Sequence, residues 1–139
     1  MRNFMIKIYT DASTHPKHKK SVGCFIIKSE ADAIIETFPL EATDNHTAEF
    51  QTMVKVLEYC LEHQLEKQLV LIYSDSNIVV KSFNKKYVKN DDFSPLLEQL
   101  LTLSRHFEEL AIEWIPESQN KMADHHARQA LKKELKKKK

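Results

Sequence analysis

The sequence predicts an α/β fold in which five strands form one mixed sheet with helices on both faces. Three observations support this prediction. A chain of 139 residues suits one domain. Three strand-like segments lie within residues 3–42, and from Thr47 the apolar side chains recur with the period of an α-helix. Helical and strand-like segments then follow each other, which favours a sheet connected by helices.

The first three strands are predicted to form a meander. The segment "NFMIKIYTDAS" at residues 3–13 alternates and is rich in β-forming residues. Residues 21–29 and 33–42 flank the short polar segment "EAD", which is typical of a hairpin. A helix is then predicted from Thr47, because the next apolar residues share one helical face. These residues are Phe50, Met53, Val54, Leu57 and Leu61.

The second half of the chain alternates between strands and helices. Residues 68–76, "QLVLIYSDS", are almost continuously apolar, as expected of a strand covered on both faces, and residues 77–84 predict a short helix. Residues 92–107 predict a third helix and residues 110–115 a fifth strand, and a last helix runs from about Gln119 into the lysine tail. The order is therefore β-β-β-α-β-α-α-β-α. In such a mixed sheet, ligands gather near the carboxyl ends of the parallel strands.

The composition is typical of a globular domain, which we assign to residues 1–131, followed by a lysine-rich tail at residues 132–139. The tail carries a charge of +5, which leaves −4 on the rest of a chain whose net charge is +1. Such a tail is most often solvated, and it could add weak attraction to nucleic acid. No apolar run approaches the roughly 20 residues of a membrane helix, and no signal peptide is evident. We therefore expect a cytoplasmic monomer with no membrane partner, in which Cys24 and Cys60 are buried free thiols.

Four acidic residues border apolar segments in four different elements: Asp11, Glu49, Asp75 and Asp124. Asp75 could cap the following helix, and Glu49, in the first turn of its helix, would interact favourably with the helix dipole. Asp124 could pair with Arg128 one turn later. Brought together, however, four carboxylates would repel one another unless cations or raised pKa values relieved the charge. Mg²⁺ prefers carboxylate oxygens, and two such ions about 4 Å apart can clamp a phosphodiester for attack by water.

Four segments resemble, in order, the signature segments of ribonuclease HI-like proteins: "IYTDAST", "NHTAEFQTM", "LIYSDSNIVV" and "NKMADHHARQAL". The resemblance covers nearly the whole chain up to the lysine tail. It implies a five-stranded mixed sheet led by three antiparallel strands, and a catalytic set made of Asp11, Glu49, Asp75 and Asp124. It also implies that these residues bind two Mg²⁺ or Mn²⁺ ions and hydrolyse the RNA strand of an RNA/DNA hybrid to a 5′-phosphate and a 3′-hydroxyl.

The same resemblance indicates where substrate would bind. Asn45, four residues before Glu49, matches a family residue that touches the RNA strand, and His46 is its neighbour. Ser13 and Thr14 follow Asp11, and we include Asn120 in the substrate-binding set. Recognition in the family uses 2′-hydroxyls across a wide minor groove rather than base sequence. The alternative for the polar loop residues of this set is ordinary turn chemistry.

The chain resembles a shorter branch of the family, with a "WxPxxxNxxAD" signature matched by Trp114, Pro116, Asn120, Ala123 and Asp124. Longer members carry a histidine in a loop before the last aspartate, whereas the connection here is "IPESQNKMA". Longer members also insert a basic protrusion, where this chain has only "NKKYVKNDD". Its lysines, Lys85, Lys86 and Lys89, could contact phosphates or be solvated. Weaker affinity for a hybrid is therefore expected.

Other histidines could replace the missing one. On a helix, His125 and His126 point about 100° and 200° away from Asp124, so we assign them to the helix surface and the border of the core. His15 and His18, in the loop after Asp11, are alternative assistants. Two other classes of function remain open. One is a non-catalytic nucleic-acid-binding module, and the other is a different nuclease of the same fold, such as an exonuclease or a junction resolvase.

Overall fold

In a computed structural model, which describes residues 5–28 and 32–137, five strands and four α-helices follow the predicted order. The strands are β1 (Met5–His15), β2 (Lys20–Lys28), β3 (Ala33–Leu40), β4 (Leu69–Ser74) and β5 (Glu109–Trp114). The helices are α1 (Asn45–Glu62), α2 (Asn77–Lys85), α3 (Ser94–Ser104) and α4 (Lys121–Lys136). Short 3₁₀ turns at Asp91–Phe93 and Glu117–Gln119 precede α3 and α4. The "EAD" of the predicted hairpin turn falls mostly outside the described residues.

The strands form one mixed sheet in the order β3-β2-β1-β4-β5. The first three strands are antiparallel neighbours, whereas β4 runs parallel to both β1 and β5. The first strand is therefore central, with hydrogen-bonded neighbours on both sides. This topology confirms the predicted fold class.

Alternating side chains of β2 divide the core between the two faces of the sheet. Phe25 and Ile27 point into the main core beneath α1, α2 and α3, together with residues such as Ile8, Phe50, Ile72 and Ile112. Cys24 and Ile26 point the other way, where they pack against Ala123 and Ala127 of α4. Alanines at these positions allow α4 to lie close to the sheet. Helices on both faces are thus confirmed.

Gly23 lets α1 approach the sheet closely. It pairs with Ala12 on β1, and a Cβ atom placed on it would meet the ring of Phe38 and lie 2.5 Å from the Thr52 hydroxyl oxygen. Thr52 is itself tied to its helix, since its hydroxyl donates to the Ala48 carbonyl at 2.8 Å. The bare strand backbone therefore sets the distance between β2 and the helix that carries Glu49.

The start of α1, the position of Glu49 in that helix and the burial of β4 differ from the predictions. Helix α1 begins at Asn45 rather than Thr47, because Asp44 caps it by accepting a hydrogen bond from the Thr47 amide at 3.0 Å. Glu49 therefore lies in the second turn, and its predicted place in the first turn is wrong. The strand β4 was expected to be covered on both faces, but only alternate residues are buried, because α4 lies over β1 and β2. Among the described residues, none of the helices is long and apolar enough to cross a membrane.

Candidate active site

Asp11 and Asp75 lie side by side because their strands are parallel neighbours. Thr10 on β1 pairs with Ser74 at the end of β4, and the residue that follows each of them in the chain is an aspartate. Glu49 approaches from the second turn of α1. One carboxylate oxygen from each of Asp11, Glu49 and Asp75 lies within 4.8 Å of the others. The structure therefore brings together three of the four acidic residues predicted from the sequence.

Burial and mutual repulsion disfavour the charged forms of the three carboxylates. Burial raises the pKa of Asp11 to about 8, and the charge of Asp75 adds to this shift. Burial likewise raises the pKa of Glu49 and of Asp75. Among the described residues, the only ion pair to this group comes from an imidazole, since His46 Nδ1 lies 3.3 Å from Glu49 Oε1. A divalent cation would relieve the repulsion, and an all-oxygen donor set suits Mg²⁺ or Mn²⁺.

The fourth carboxylate lies beside this group in a different arrangement. Asp124, in the first turn of α4, lines a cavity of about 290 Å³ together with Asp11, Glu49 and Asp75. Its own oxygens are held by Arg128, whose Nη2 lies 2.9 Å from Oδ2 and whose Nε donates to Oδ1 at 3.1 Å. The predicted pair with Arg128 is therefore present, at a position that also faces the other three acids.

Ser76, rather than Asp75, caps α2. The Ser76 hydroxyl accepts a hydrogen bond from the Val79 amide at 3.4 Å and donates one to Glu49 Oε1 at 3.0 Å. The suggestion that Asp75 caps this helix is wrong, and its carboxylate is left for the site. Ser76 was missed by the sequence analysis. Its signal was the serine directly before a helical segment, a usual capping position.

The predicted substrate-binding residues fall into three groups. Asn45 lines the carboxylate cavity, and His46 contacts Glu49 and lies edge-on to Phe93 at 6.3 Å. Ser13 and Thr14 continue along β1 beyond Asp11, and the Thr14 hydroxyl lies 2.8 Å from that of Ser21. The third group is Asn120, which is only 2% exposed and lies beneath the site.

The histidines outside the site take the following places. His15 ends β1 and its ring lies 4.7 Å from that of His18 in the turn to β2. His15 lies four residues beyond Asp11, roughly 13 Å along an extended strand, so it does not reach the carboxylates in this arrangement. His125 is exposed and His126 is half-buried, as predicted.

A second, larger cleft opens next to the carboxylates. Its volume is about 640 Å³, and it shares His46, Glu49 and Asp75 with the site. Its lining also includes three lysines and one tyrosine: Lys81, Lys85, Lys89 and Tyr87. Tyr87 is 65% exposed, which leaves its ring free to pack against a ligand. Positive charge therefore lies next to the acidic cluster, although the sequence left Lys85 and Lys89 as either phosphate contacts or solvated residues.

Comparisons with known proteins extend this description. Residues 9–130 match the protein family described as "Reverse transcriptase-like". The chain is 40% identical over 129 residues to the Enterococcus faecalis protein named "Putative hydrolase EbsB". The alignment covers 93% of this chain and 96% of that protein.

Two solved structures are similar in fold. RNase H1 from the archaeon Halobacterium salinarum has a TM-score of 0.81 and 18% identity, covering 94% of this chain and 99% of that one. LC11-RNase H1, isolated from compost and solved in complex with an RNA/DNA hybrid, has a TM-score of 0.82 and 22% identity, with the same coverage. At these identities the likeness is one of fold.

Proposed function

Because the chain belongs to the reverse transcriptase-like family and has the fold of ribonuclease H, we propose that it is a metal-dependent endoribonuclease that hydrolyses the RNA strand of RNA/DNA hybrids. One observation carries the proposal. Oxygens of Asp11, Glu49 and Asp75 converge within 4.8 Å, at the carboxyl end of a parallel strand, and no Lys or Arg in the described ranges pairs with them. Such a cluster is a poor stabilising feature and a good cation site.

The residues present fit two divalent ions. Asp11, Glu49 and Asp75 would hold one ion, and Asp124, facing the same cavity, would contribute to the second once Arg128 releases it. Bound Mg²⁺ or Mn²⁺ would activate the attacking water and stabilise the leaving 3′ oxygen. The protein's part is to hold the oxygens in place. Ser76 does so for Glu49 by donating a hydrogen bond at 3.0 Å.

The larger cleft suits a nucleic-acid backbone. Lys81, Lys85 and Lys89 would lie along phosphates, and Tyr87 offers a ring for stacking against a sugar or base. LC11-RNase H1, which has a similar fold, was solved with an RNA/DNA hybrid, which supports the same class of partner here. Asn45 and His46, at the rim of the carboxylate site, would contact the RNA strand. Ser13 and Thr14 would contact it only if the hybrid extends along β1. We expect the protein to act as a cytoplasmic monomer.

The test is cleavage of an end-labelled RNA/DNA hybrid with Mg²⁺ and with Mn²⁺. The Asp75→Asn variant should lose cleavage and keep its circular dichroism spectrum. Asp92→Asn is the matched control, because Asp92 is exposed in the 3₁₀ turn before α3, and it should cleave like the wild type. Products should end in a 5′-phosphate and a 3′-hydroxyl. Cleavage that survives both Asp75→Asn and EDTA would contradict the proposal.

A second candidate function is that of a nucleic-acid-binding module that does not cleave its ligand. The observation in its favour is the Asp124–Arg128 pair, which occupies the fourth carboxylate. Tight hybrid binding by nuclease-free protein without cleavage in either metal would favour this candidate. Blocked hybrid ends would separate an exonuclease from an endonuclease, and a four-way junction would test a resolvase.

A further inference from the structure

Asn120 is a buried amide that does not do what an asparagine at a helix start usually does. It occupies the N-cap position of α4, where an asparagine oxygen commonly accepts a backbone N–H of the first turn. Here the side chain makes no capping hydrogen bond, and the oxygen, Oδ1, is buried without a hydrogen-bond partner among the described residues. Helix capping therefore does not explain this residue, and an idle buried oxygen is a cost to stability.

The amide nitrogen of Asn120, by contrast, is fully used. It donates to the Thr10 carbonyl of β1 at 2.8 Å and to Asp75 Oδ2 at 3.3 Å. The Thr10 carbonyl and the ionised Asp75 carboxylate accept hydrogen bonds only, so the two amino hydrogens match them, and the reverse orientation would place oxygen against oxygen. The orientation of the amide is therefore settled by its neighbours. It links the central strand to a carboxylate of the site.

The same segment holds Asp75 at a second point. The Trp114 indole N–H donates to the Asp75 backbone carbonyl at 3.2 Å. The Ile115 amide donates to the carbonyl of Ser74, the residue before Asp75, at 2.9 Å. Residues 114–120 thus donate hydrogen bonds to both the main chain and the side chain of Asp75. Four residues after Asn120, helix α4 supplies Asp124.

From these contacts we propose that Asn120 is a positioning residue, which orients the Asp75 carboxylate toward Asp11 and Glu49 so that the three can bind a divalent cation together. The inference rests on the metal site of the proposed function. It gives the "WxPxxxN" part of the signature a physical role, because Trp114 and Asn120 both act on Asp75. It also replaces the expected contact between Asn120 and substrate, since both amino hydrogens are taken and the residue is only 2% exposed.

The test is Mn²⁺ affinity measured by isothermal titration calorimetry on the full chain. Residues that orient metal ligands typically change metal affinity by about 10- to 100-fold when mutated, so Asn120→Ala should bind Mn²⁺ at least tenfold more weakly than the wild type. Asn84→Ala is the matched control. Asn84 also joins two elements through an amide-to-carbonyl hydrogen bond, to Ile112 at 3.1 Å, but the bond involves no carboxylate. Its affinity should be unchanged.

The results distinguish the positioning role of Asn120 from the proposed nuclease activity. Unchanged Mn²⁺ affinity in folded Asn120→Ala, or an equal loss in Asn84→Ala, would overturn the positioning role. If Asn120→Ala does not fold, Asn120→Ser takes its place, because its shorter side chain has a single hydroxyl hydrogen and cannot donate to both Thr10 and Asp75. It should also bind Mn²⁺ more weakly than the wild type, and unchanged affinity would overturn the positioning role. Wild-type protein that binds Mn²⁺ but leaves hybrids intact would remove the proposed activity and not this role. Wild-type protein that binds no Mn²⁺ would overturn both.

Discussion

Replacing Asp11 with asparagine should stabilise the metal-free protein at neutral pH. Burial, and then the charge of Asp75, raise the pKa of Asp11 in the fold to about 8, from an ordinary value of 3.8. The folded protein therefore keeps a proton on Asp11 at pH values where the unfolded chain has released it. Stability from this group is present below pH 3.8 and is lost as the pH rises toward 8.

The size of the effect follows from proton linkage. Between pH 5 and pH 7 the folded state holds about one more proton at this residue than the unfolded state. Each pH unit then costs 1.36 kcal/mol, so the free energy of unfolding should fall by roughly 3 kcal/mol over this interval. An asparagine at the same position cannot ionise, and the variant should not show this fall.

Urea denaturation in EDTA at pH 5, 6 and 7 measures the effect as a difference between the wild type and Asp11→Asn. The difference cancels most other titrations, because the two proteins share every other group. Asp92→Asn, an exposed change of the same chemistry, should show a constant difference from the wild type. If the advantage of Asp11→Asn over the wild type is the same at all three pH values, the reasoning about the buried carboxylates is wrong. Added Mg²⁺ at pH 7 should stabilise the wild type far more than the variant.

Three further changes test other parts of the molecule. Gly23→Ala should lower the free energy of unfolding by about 1–3 kcal/mol in urea denaturation, because the new methyl group meets Phe38 and Thr52, and an unchanged value would refute that close approach. Arg128→Ala should lower the Mn²⁺ concentration needed for half-maximal cleavage, since the guanidinium competes with the cation for Asp124; Lys132→Ala, on the same helix, should not. Replacing Lys81, Lys85 and Lys89 with alanine should weaken hybrid binding and reduce its logarithmic salt slope by about 2 to 3. Replacing Lys132, Lys133 and Lys136 removes the same charge elsewhere, and an equal loss of slope there would exclude the cleft as the specific contact.

Much of the fold could be predicted because it depends on local periodicity. The change from strand-like to helical spacing near Thr47 located α1, and the hairpin signal located β2 and β3. The exact start of α1 was missed because the cap, Asp44, precedes the first apolar residue of the helical face by several positions. The coverage of β4 was missed because a continuous apolar run does not show which helices will lie over each face.

The candidate site was predictable in kind and less so in detail. Acidic residues at the borders of apolar segments are unusual enough to be noticed, and three of the four meet as expected. Their roles as ligands stay a prediction. The contacts of Ser76 with Glu49 and of Asn120 with Thr10 and Asp75 depend on side-chain orientation and on which distant segments become neighbours, and neither is encoded in local spacing. The Asp124–Arg128 pair, by contrast, follows from a spacing of four residues along one helix. Only the order of the signature segments hinted that these pieces belong together.

The hydrogen bond from Asn120 to Thr10 joins positions 110 residues apart, and this has a consequence for synthesis. Asp11 and Asp124 are separated by 113 positions, which a ribosome translating roughly 5–20 residues per second needs about 6 to 23 s to cover. During that time the emerging chain contains Asp11, but it lacks both Asp124 and the residues that hydrogen-bond to Asp75, Trp114 and Asn120. The central strand β1 is therefore synthesised well before α4, the helix that packs against it. A nascent chain in which α4 has not yet folded thus lacks part of the proposed site, so the proposed nuclease would gain activity only after α4 packs against the sheet.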